Sequence, residues 1–496
     1  MPQIGRKDLS IRHMGLALGP LMFAATLLFF HPEGMSKEAN AILASTLWVA
    51  IWWITEAIPI PVTSLLPIVL FPMTGGLDLK STTAAFGHRL IFLYIGGFII
   101  AIAIEKWNLH RRIALRIISF IGTNISMIIL GFMLATAFLS MWISNTATSV
   151  MMLPIGMAIV SQLAANESSS QERVNIFGKA LMLAIAYSAS IGGVATLIGT
   201  PPNLVLAGVI EEIYDIEISF LQWFVFGLPI SVVLLGICWF YLVRVAFPFK
   251  KESFPGGREE INRQLGLLGK ISFEEKMVLA VFGATAFCWI AREHLLAKVF
   301  PNIDDTIIAI FFAVILFLLP SKSQRGAKLI DWESAVKLPW GIIILFGGGL
   351  ALAEGFKASG LAEWIGSQMT LLQGVSLIVL LLVLVAAVNF LTEITSNLAT
   401  TSMILPILAP MALTIDVHPF TLMVGATVAA SCAFMLPVAT PPNAVVFGSG
   451  YLRIPDMVRK GIWMNLISIL LVTAAVYFML GPLWGIDLGS FPAELK

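Results

Sequence analysis

The chain has 496 residues, of which 58% are hydrophobic and only 12% are charged, and its mean hydropathy is +0.92. The charged share is roughly half that of an average soluble domain, which excludes a soluble globular protein and indicates many membrane spans. A net charge of +1 without any basic stripe argues against nucleic acid as a partner. The lipid bilayer is therefore the expected environment.

Apolar runs long enough to cross a bilayer core of about 30 Å follow one another along the chain. They lie at about residues 15–30, 41–58, 61–76, 90–105, 126–162, 178–210, 222–247, 275–291, 305–320, 338–356, 375–412, 420–450 and 462–484. The polar, charged stretch 250–276 separates the two sets of runs and is predicted to be a cytoplasmic linker.

One phrase occurs twice, at Leu139–Thr148 and again at Leu391–Thr400, each time with Ser-Asn inside it and Leu-Pro-Ile soon after it. Tens of residues later the tetrapeptide Thr-Pro-Pro-Asn follows each copy, at 200–203 and at 440–443. Proline interrupts a helix because it lacks the N–H donor and clashes with the preceding turn. The sequence therefore predicts two broken helices, at about 178–210 and 420–450.

The two runs that contain the repeated phrase are about twice as long as a single span. Each could be two crossings joined by a tight turn, or a re-entrant hairpin that leaves on the side it entered. The turn segments 143–147 and 395–399 contain no Lys, Arg, Pro or Gly. A tip buried in protein fits this composition better, so hairpins are predicted at about 126–162 and 375–412, together with eleven full crossings.

The basic residues indicate how the chain runs through the membrane. With the N-terminus in the cytoplasm, 23 of the 30 Lys and Arg residues fall on the cytoplasmic side, as the positive-inside rule expects, and the C-terminus lies outside. Each repeat then has five crossings, an odd number, so the second repeat is inverted relative to the first. The Gly-Gly pairs at 96–97 and 347–348 correspond in this duplication.

The predicted organisation is therefore an all-α polytopic membrane protein built from an inverted repeat. Its parts are an N-terminal segment with the first span (1–40), the first repeat (41–249), the cytoplasmic linker (250–276), the second repeat (277–485) and a C-terminal tail (486–496). The stretch from Lys106 to Arg116 is predicted to be an amphipathic helix on the inner surface. Its counterpart outside would run from Lys357 to Trp364.

The side chains around the two tips are neutral oxygen donors. Amide oxygens come from Asn145 and Asn397, and hydroxyls come from Ser140, Ser144, Thr392 and Ser396. Together with carbonyls released at the proline breaks, they suit a hard monovalent cation such as sodium better than a transition metal. A single copy could be a simple helix cap, but two copies, each followed by Thr-Pro-Pro-Asn, indicate a site.

Charged side chains are scarce near the tips. No Lys or Arg occurs between Arg116 and Arg173, or between Lys357 and Arg453. An anion there would be held by helix ends, amides, hydroxyls and bound cations, which predicts coupled binding. Glu393 is the one nearby carboxylate; it is either a proton-relay group or a structural acceptor of backbone N–H groups of the hairpin.

These features resemble the divalent anion/sodium symporters, which carry di- and tricarboxylates. The two Ser-Asn motifs and the two Thr-Pro-Pro-Asn breaks carry the resemblance, which covers about residues 40–485. It implies a homodimer with a scaffold domain and a transport domain, and an elevator-like displacement of the bound substrate. It also implies two sodium sites, and so about two or more Na⁺ as coupling ions.

The resemblance implies a role for particular positions. The first sodium site maps onto Ser140, Ser144, Asn145 and Gly199, and the second onto Thr392, Ser396, Asn397 and Ala439. Substrate contacts map onto Ser144, Asn145, Thr146, Ser396, Asn397, Leu398, Thr200 and Thr440. Leu398 departs from the fullest motif, which has threonine at this position in both copies, so it bears on substrate identity more than on cation binding.

The expected function is sodium-driven import of a C4 dicarboxylate such as succinate, malate or fumarate across the plasma (inner) membrane. A sodium-independent dicarboxylate exchanger and a citrate or sulfate transporter are the alternatives. An enzyme is not expected because no His or Cys accompanies Ser144 or Ser396. A channel is disfavoured because the broken helices are placed at one midplane locus rather than along a continuous path.

Overall fold

A computed structural model describes residues 6–122, 124–165, 170–249, 257–369 and 374–495. The described residues form no β-sheet, and one isolated bridge pairs Pro320 with Lys328. The first half contains α1 (Arg6–Phe29), α2 (Lys37–Thr55), α3 (Ile60–Thr63), α4 (Leu66–Thr74), α5 (Leu79–Ala84), α6 (Arg89–Lys106), α7 (Leu109–Ile121), α8 (Ile125–Ser140), α9 (Asn145–Ala164), α10 (Gln171–Val194), α11 (Pro201–Tyr214) and α12 (Phe220–Phe240).

The second half continues the helical pattern. It contains α13 (Gly257–Leu267), α14 (Phe273–Ala291), α15 (Asp305–Leu318), α16 (Trp332–Ala335), α17 (Trp340–Ala358), α18 (Leu361–Gln368), α19 (Leu377–Leu391), α20 (Asn397–Thr414), α21 (Pro419–Ala430), α22 (Pro441–Phe447), α23 (Ile454–Ala475) and α24 (Gly481–Trp484). Short π-helical segments extend three of these helices, at Tyr241–Ala246, Arg292–Leu296 and Val476–Leu480. Single 3₁₀ turns lie at Ala85–Gly87 and Ala493–Leu495.

The all-α fold class is confirmed, and every predicted apolar run contains helix. Within the described ranges, nine helices are long and apolar enough to cross a membrane, and two of them, α9 and α20, are hairpin arms. Other predicted crossings are shorter: α15 has 14 residues, about 21 Å of helix, less than the bilayer core of about 30 Å. The number of eleven crossings therefore stays a prediction.

Each long run with a Ser-Asn motif is a helical hairpin. The first pairs α8 with α9 and the second pairs α19 with α20, so the arms end within about two residues of the predicted limits. At the tips, Ser144 Oγ accepts from Ala147 N at 3.2 Å and Ser396 Oγ accepts from Ala399 N at 3.5 Å. The two serines therefore do cap the returning arms, and both also face the cavity described below.

Each Thr-Pro-Pro-Asn lies where a helix is interrupted. The first break separates α10 from α11 over residues 195–200, and the second separates α21 from α22 over residues 431–440. In both, the two prolines occupy the first turn of the returning helix, where a missing N–H leaves no hydrogen bond unmade. The second break is four residues longer than the first.

Several helices begin before the predicted apolar runs, because the runs were defined by hydrophobicity alone. α2 begins at Lys37, before residue 41, and α10 begins at Gln171, before residue 178. The predicted linker 250–276 contains α13 and the start of α14. In α2, α10 and α14 a serine cap starts the helix, so a polar first turn precedes the apolar stretch.

The two predicted amphipathic segments are helical but start later than expected. α7 follows Asn108 (φ 55°) and α18 follows Gly360 (φ 76°). Both residues adopt the left-handed conformation, which ends the preceding helix and turns the chain sharply. Lys106 therefore ends α6 and Lys357 belongs to α17, so neither lies in the amphipathic helix to which it was assigned.

The paired glycines allow close helix contacts. A Cβ on Gly96 in α6 would lie 2.7 Å from the carbonyl carbon of Ala309 in α15, and one on Gly348 in α17 would lie 2.6 Å from the Ser64 carbonyl oxygen after α3. Each repeat thus packs a glycine against the opposite repeat. An inverted duplication would produce this reciprocity, and the duplication stays a prediction.

Replacing Gly96 by alanine should lower the unfolding temperature of the detergent-purified protein. The new methyl group would meet Ala309 backbone that cannot move aside, a cost of about 1–3 kcal/mol. Gly97→Ala is the matched control because its nearest neighbour would be Ile198 Cδ1 at 3.6 Å. Equal unfolding temperatures for the two variants would contradict the proposed close packing of α6 and α15.

Candidate functional site

A cavity of about 580 Å³ lies where the two hairpin tips and the two helix breaks meet. Its walls include predicted site residues from both halves of the chain, namely Ser144, Asn145, Thr146, Gly199, Thr200, Ser396, Asn397, Leu398, Ala439 and Thr440. The other two predicted residues, Ser140 and Thr392, are fully buried behind the walls. The fold thus gathers segments that are more than two hundred residues apart around one space.

The cavity wall is almost free of charge. The helices opposite the tips contribute Tyr94 and Phe98 from α6 and Gly341 and Ile342 from α17. Of the described residues that line the cavity, the charged one is Glu56, whose carboxylate pairs with Arg12 at 3.2 Å. No Lys or Arg lies among these lining residues, in agreement with the absence of basic residues from the two tip segments.

At the first tip, polar atoms converge between the hairpin and the break. Ser140 Oγ donates to the Ala189 carbonyl at 2.7 Å and lies 2.5 Å from a side-chain amide atom of Asn145. The position of this amide atom of Asn145 is also 3.2 Å from the carbonyl oxygens of Ala189 and Gly199. The surrounding acceptors favour a nitrogen at this position, which donates to both carbonyls and to Ser140 Oγ. Rotation of the amide by 180° would place its oxygen there and complete a group of four oxygens suited to a monovalent cation.

The second tip repeats this arrangement. Thr392 Oγ1 lies 2.7 Å from Asn397 Oδ1 and 3.0 Å from the Ala430 carbonyl oxygen, and its one proton can be donated to either. A hydroxyl, an amide and a carbonyl therefore occupy equivalent places in the two hairpins. Neutral oxygens of these kinds fit sodium at both tips, and the described residues contain no cluster of His, Cys, Asp or Glu suited to a transition metal.

The asparagines of the two tetrapeptides hold the breaks in shape. Asn203 Nδ2 donates to the carbonyls of Gly193 at 3.2 Å and Thr196 at 2.8 Å. Asn443 Nδ2 donates to the carbonyls of Ala433 at 3.3 Å and Leu436 at 3.0 Å. These contacts satisfy carbonyls that the proline breaks release from the helix, a role that the sequence motif did not reveal.

Glu393 is a structural acceptor for the second break. Its carboxylate accepts the backbone N–H groups of Phe434, Met435 and Leu436 at 2.8–3.0 Å, and Asn465 Nδ2 at 2.7 Å. Of the two predicted roles of Glu393, a structural acceptor fits these contacts better than a proton-relay group. The N–H groups that it accepts belong to the second break, however, and not to the hairpin as predicted. Four donors leave a fully engaged carboxylate little capacity to relay a proton.

The two tips differ at their third position. Thr146 is exposed to the cavity, whereas Leu398 lines the cavity with only 6% of its surface accessible. On the second tip Thr395 is a further hydroxyl in the wall, but it is engaged with Thr400 Oγ1 at 2.6 Å. The hydroxyl groups available to a ligand therefore lie mainly on the first side.

Sequence reasoning missed the contribution of the opposite wall. Tyr94 is 3% exposed, lines the cavity, and its hydroxyl has no hydrogen-bond partner among the described residues. Thr395 lies within the repeated phrase and could have been found there. Tyr94 lies in an unbroken apolar helix, where no local signal distinguishes it from a packing residue.

Residues 11–490 match the family described as sodium:sulfate symporter transmembrane region. The chain belongs to this family. The divalent anion/sodium symporter resemblance predicted from the repeated motifs is thus confirmed, and the protein is an integral membrane transporter rather than an enzyme.

Several symporter relatives are similar over almost the whole chain. The sodium-dependent dicarboxylate transporter SdcS of Staphylococcus saprophyticus is 50% identical over 490 residues, which are 97% of this chain and 94% of SdcS. SdcS of Staphylococcus aureus strain USA300 is 49% identical over 488 residues, with the same coverage of both chains.

Two solved transporter structures share the fold. MtrF of Neisseria gonorrhoeae has a TM-score of 0.56 at 12% identity and covers 96% of each chain. YdaH of Alcanivorax borkumensis has a TM-score of 0.57 at 13% identity and covers 97% of this chain and 98% of YdaH. At these low identities, the two structures show only that the chains share an architecture.

Replacing Glu393 by alanine should lower the unfolding temperature and abolish transport, since three buried N–H groups and an amide would lose their acceptor. Glu393→Gln should retain part of the uptake, because its amide oxygen still accepts hydrogen bonds, and should keep the pH dependence of the native protein. Loss of the pH dependence in a stably folded Glu393→Gln variant would instead indicate a proton relay.

Proposed function

We propose that this symporter imports C4 dicarboxylates such as succinate, malate and fumarate together with about two or more sodium ions. The observation that carries the proposal is one cavity without a basic side chain in its described lining, bordered by two equivalent groups of neutral polar atoms. Relatives at about 50% identity that are called sodium-dependent dicarboxylate transporters support the same substrate class and coupling ion.

In the proposed cycle, the sodium ions bind before the dicarboxylate. Asn145 and Ser140 on the first tip and Asn397 and Thr392 on the second supply oxygens of the kind that replace the hydration shell of sodium. Carbonyl oxygens at Ala189 and Ala430 lie beside them. Bound cations then place positive charge on both sides of the cavity.

The dicarboxylate binds between the tips. Helices α9 and α20 begin at the cavity-lining residues Asn145 and Asn397. The partial positive charge of a helix N-terminus favours the binding of a carboxylate there. These partial charges alone bind a dicarboxylate weakly, because no basic side chain lies among the described lining residues. The substrate therefore depends on the bound sodium ions for its affinity, which makes the transport a symport.

Uptake of labelled succinate into proteoliposomes tests this function. We expect accumulation driven by an inward sodium gradient, competition by malate and fumarate, and little competition by sulfate or citrate. Uptake that needs internal dicarboxylate but no sodium would identify an exchanger. Strong competition by sulfate or by citrate would identify the corresponding transporter of the same family.

Replacing Asn145 or Asn397 by alanine should raise the sodium concentration needed for half-maximal uptake about tenfold, since each removes an oxygen ligand. Asn40→Ala is the matched control: this buried amide lies on α2, outside the cavity lining, and donates to the Thr26 carbonyl. Unchanged sodium dependence in both site variants would refute the assignment of the cation sites.

Replacing Leu398 by threonine should alter the preference among dicarboxylates while leaving the sodium dependence nearly unchanged. The new hydroxyl would face the cavity wall opposite Thr146, where the native chain offers only an aliphatic surface. Leu398→Met, which keeps the volume and adds no donor, is the control. A competition panel that gives the same ranking for native protein and both variants would show that position 398 does not select the substrate.

We further propose an elevator-type movement in which the hairpins and broken helices form the transport domain and α1–α6 and α14–α17 form the scaffold. The cavity borders Glu56, Pro61 and Pro339, which lie at the predicted cytoplasmic ends of scaffold helices. The N-terminus would then lie in the cytoplasm of a cell whose plasma (inner) membrane holds the protein, with the C-terminus outside. A homodimer is proposed on the same family resemblance.

Ion pairs between the scaffold and α11, or the connection that follows α11, cluster at the opposite, outer end. Arg89 on the scaffold lies 2.5 Å from Glu211 on α11 and 3.5 Å from Glu217, which precedes α12. Arg292 at the end of α14 lies 2.8 Å from Glu217. These pairs would close the outer path while the cavity opens inward, and they must separate when the transport domain moves.

Replacing Glu211 by glutamine should therefore shift the population toward the outward-open state, because Arg89 loses its shortest ion pair across the domains. Accessibility of an engineered cysteine at Val438, which is 79% exposed in this state, to a membrane-impermeant thiol reagent added outside should increase severalfold. Asp78→Asn, an exposed outer carboxylate that bonds only within its own turn, is the control. Equal external labelling of the native chain, Glu211→Gln and Asp78→Asn would contradict the proposal that these ion pairs close the outer path.

A further inference from the structure

A second recess, which shares no lining residue with the cavity described above, lies between α7, the turn after α13 and the start of α14. It has a volume of about 630 Å³ and is lined by Arg112, Arg116, Gly266, Gly269, Lys270, Ile271 and Lys276. Four of these seven residues are basic and none is acidic. We propose that this recess binds the phosphate headgroup of an anionic phospholipid.

Arg112 builds the recess without contributing free charge. Its guanidinium meets Glu275 at 2.6 Å and 3.1 Å and donates to the carbonyls of Leu268 and Gly269 at 3.1 Å and 2.9 Å. The residue is 8% exposed. This bidentate pair fixes α7 against the start of α14, and the carboxylate of Glu275 neutralises the charge of Arg112.

The other three bases carry charge that no partner neutralises. Arg116, Lys270 and Lys276 are exposed and form no ion pair with any residue that the structure describes. They come from three different elements, so three positive charges converge on one concave surface. A basic pocket between the ends of membrane helices is the kind of site that holds an anionic lipid headgroup.

The surroundings favour a lipid over a free phosphate ion. Leu267 is 69% exposed and Ile271 is 37% exposed beside the recess, and Phe120 on α7 is 80% exposed. Acyl chains can cover such apolar groups at the membrane interface, whereas a small soluble anion cannot. The headgroup and acyl chains of one bound lipid would then contact both α7, which lies between α6 and the first hairpin, and the scaffold helix α14.

Native mass spectrometry of the detergent-purified protein, equilibrated with equal amounts of phosphatidylglycerol and phosphatidylcholine of the same acyl chains, tests the proposal. The native chain should retain phosphatidylglycerol preferentially. In the variant Arg116→Gln/Lys270→Gln/Lys276→Gln the ratio of retained phosphatidylglycerol to phosphatidylcholine should fall at least about tenfold. Arg325→Gln/Lys337→Gln/Arg459→Gln removes the same charge from exposed positions elsewhere and should keep the native ratio.

The double variant Lys270→Gln/Lys276→Gln changes two exposed side chains only and serves if the triple variant does not purify; its ratio should fall severalfold. A native ratio in either recess variant would overturn the proposal, as would an equal loss in the control variant. Inorganic phosphate at the concentration of the lipid is added in a further arm. Displacement of phosphatidylglycerol by this phosphate would assign the recess to a free anion and also overturn the lipid site.

Discussion

The structure depends on how it satisfies backbone groups that are freed from helices in apolar surroundings. Two hairpin tips and two proline breaks interrupt regular hydrogen bonding, and such interruptions persist at membrane depth only where other partners replace the helix. Asn203 and Asn443 hold the freed carbonyls of the breaks, and Glu393 with Asn465 holds the freed N–H groups of the second. The tips and breaks held in this way form much of the wall of the cavity.

The two halves meet this constraint by different means. In the first half, Thr196 Oγ1 in the break donates to the Met141 carbonyl at the tip, at 2.5 Å. In the second, Glu393 occupies the place of Met141 in the repeated phrase and accepts N–H groups from the break, including that of Leu436. The direction of donation between tip and break is thus reversed. Glu393 is thus the buried carboxylate of the second tip, and Met141 stands at the same place in the first.

Local patterns in the sequence predicted the fold class, both hairpins, both breaks and the positions now found around one cavity. They succeeded because a proline break and an uncharged double-length run are local signals. Helix starts such as Ser36 and Ser272 were missed because a polar first turn lies outside the apolar run. Tyr94, the linker helix α13 and the reach of Glu393 to Phe434 depend on tertiary contacts, which no local pattern encodes.

The central claim is that bound sodium completes a dicarboxylate site that has no basic side chain. Equilibrium binding of labelled succinate to the purified protein at fixed pH tests it most directly, with sodium replaced stepwise by potassium at constant ionic strength. The account predicts no measurable binding in potassium and an affinity that rises with sodium with a logarithmic slope of about two, since coupled ligands strengthen each other reciprocally. Equal succinate affinity in sodium and potassium would contradict it.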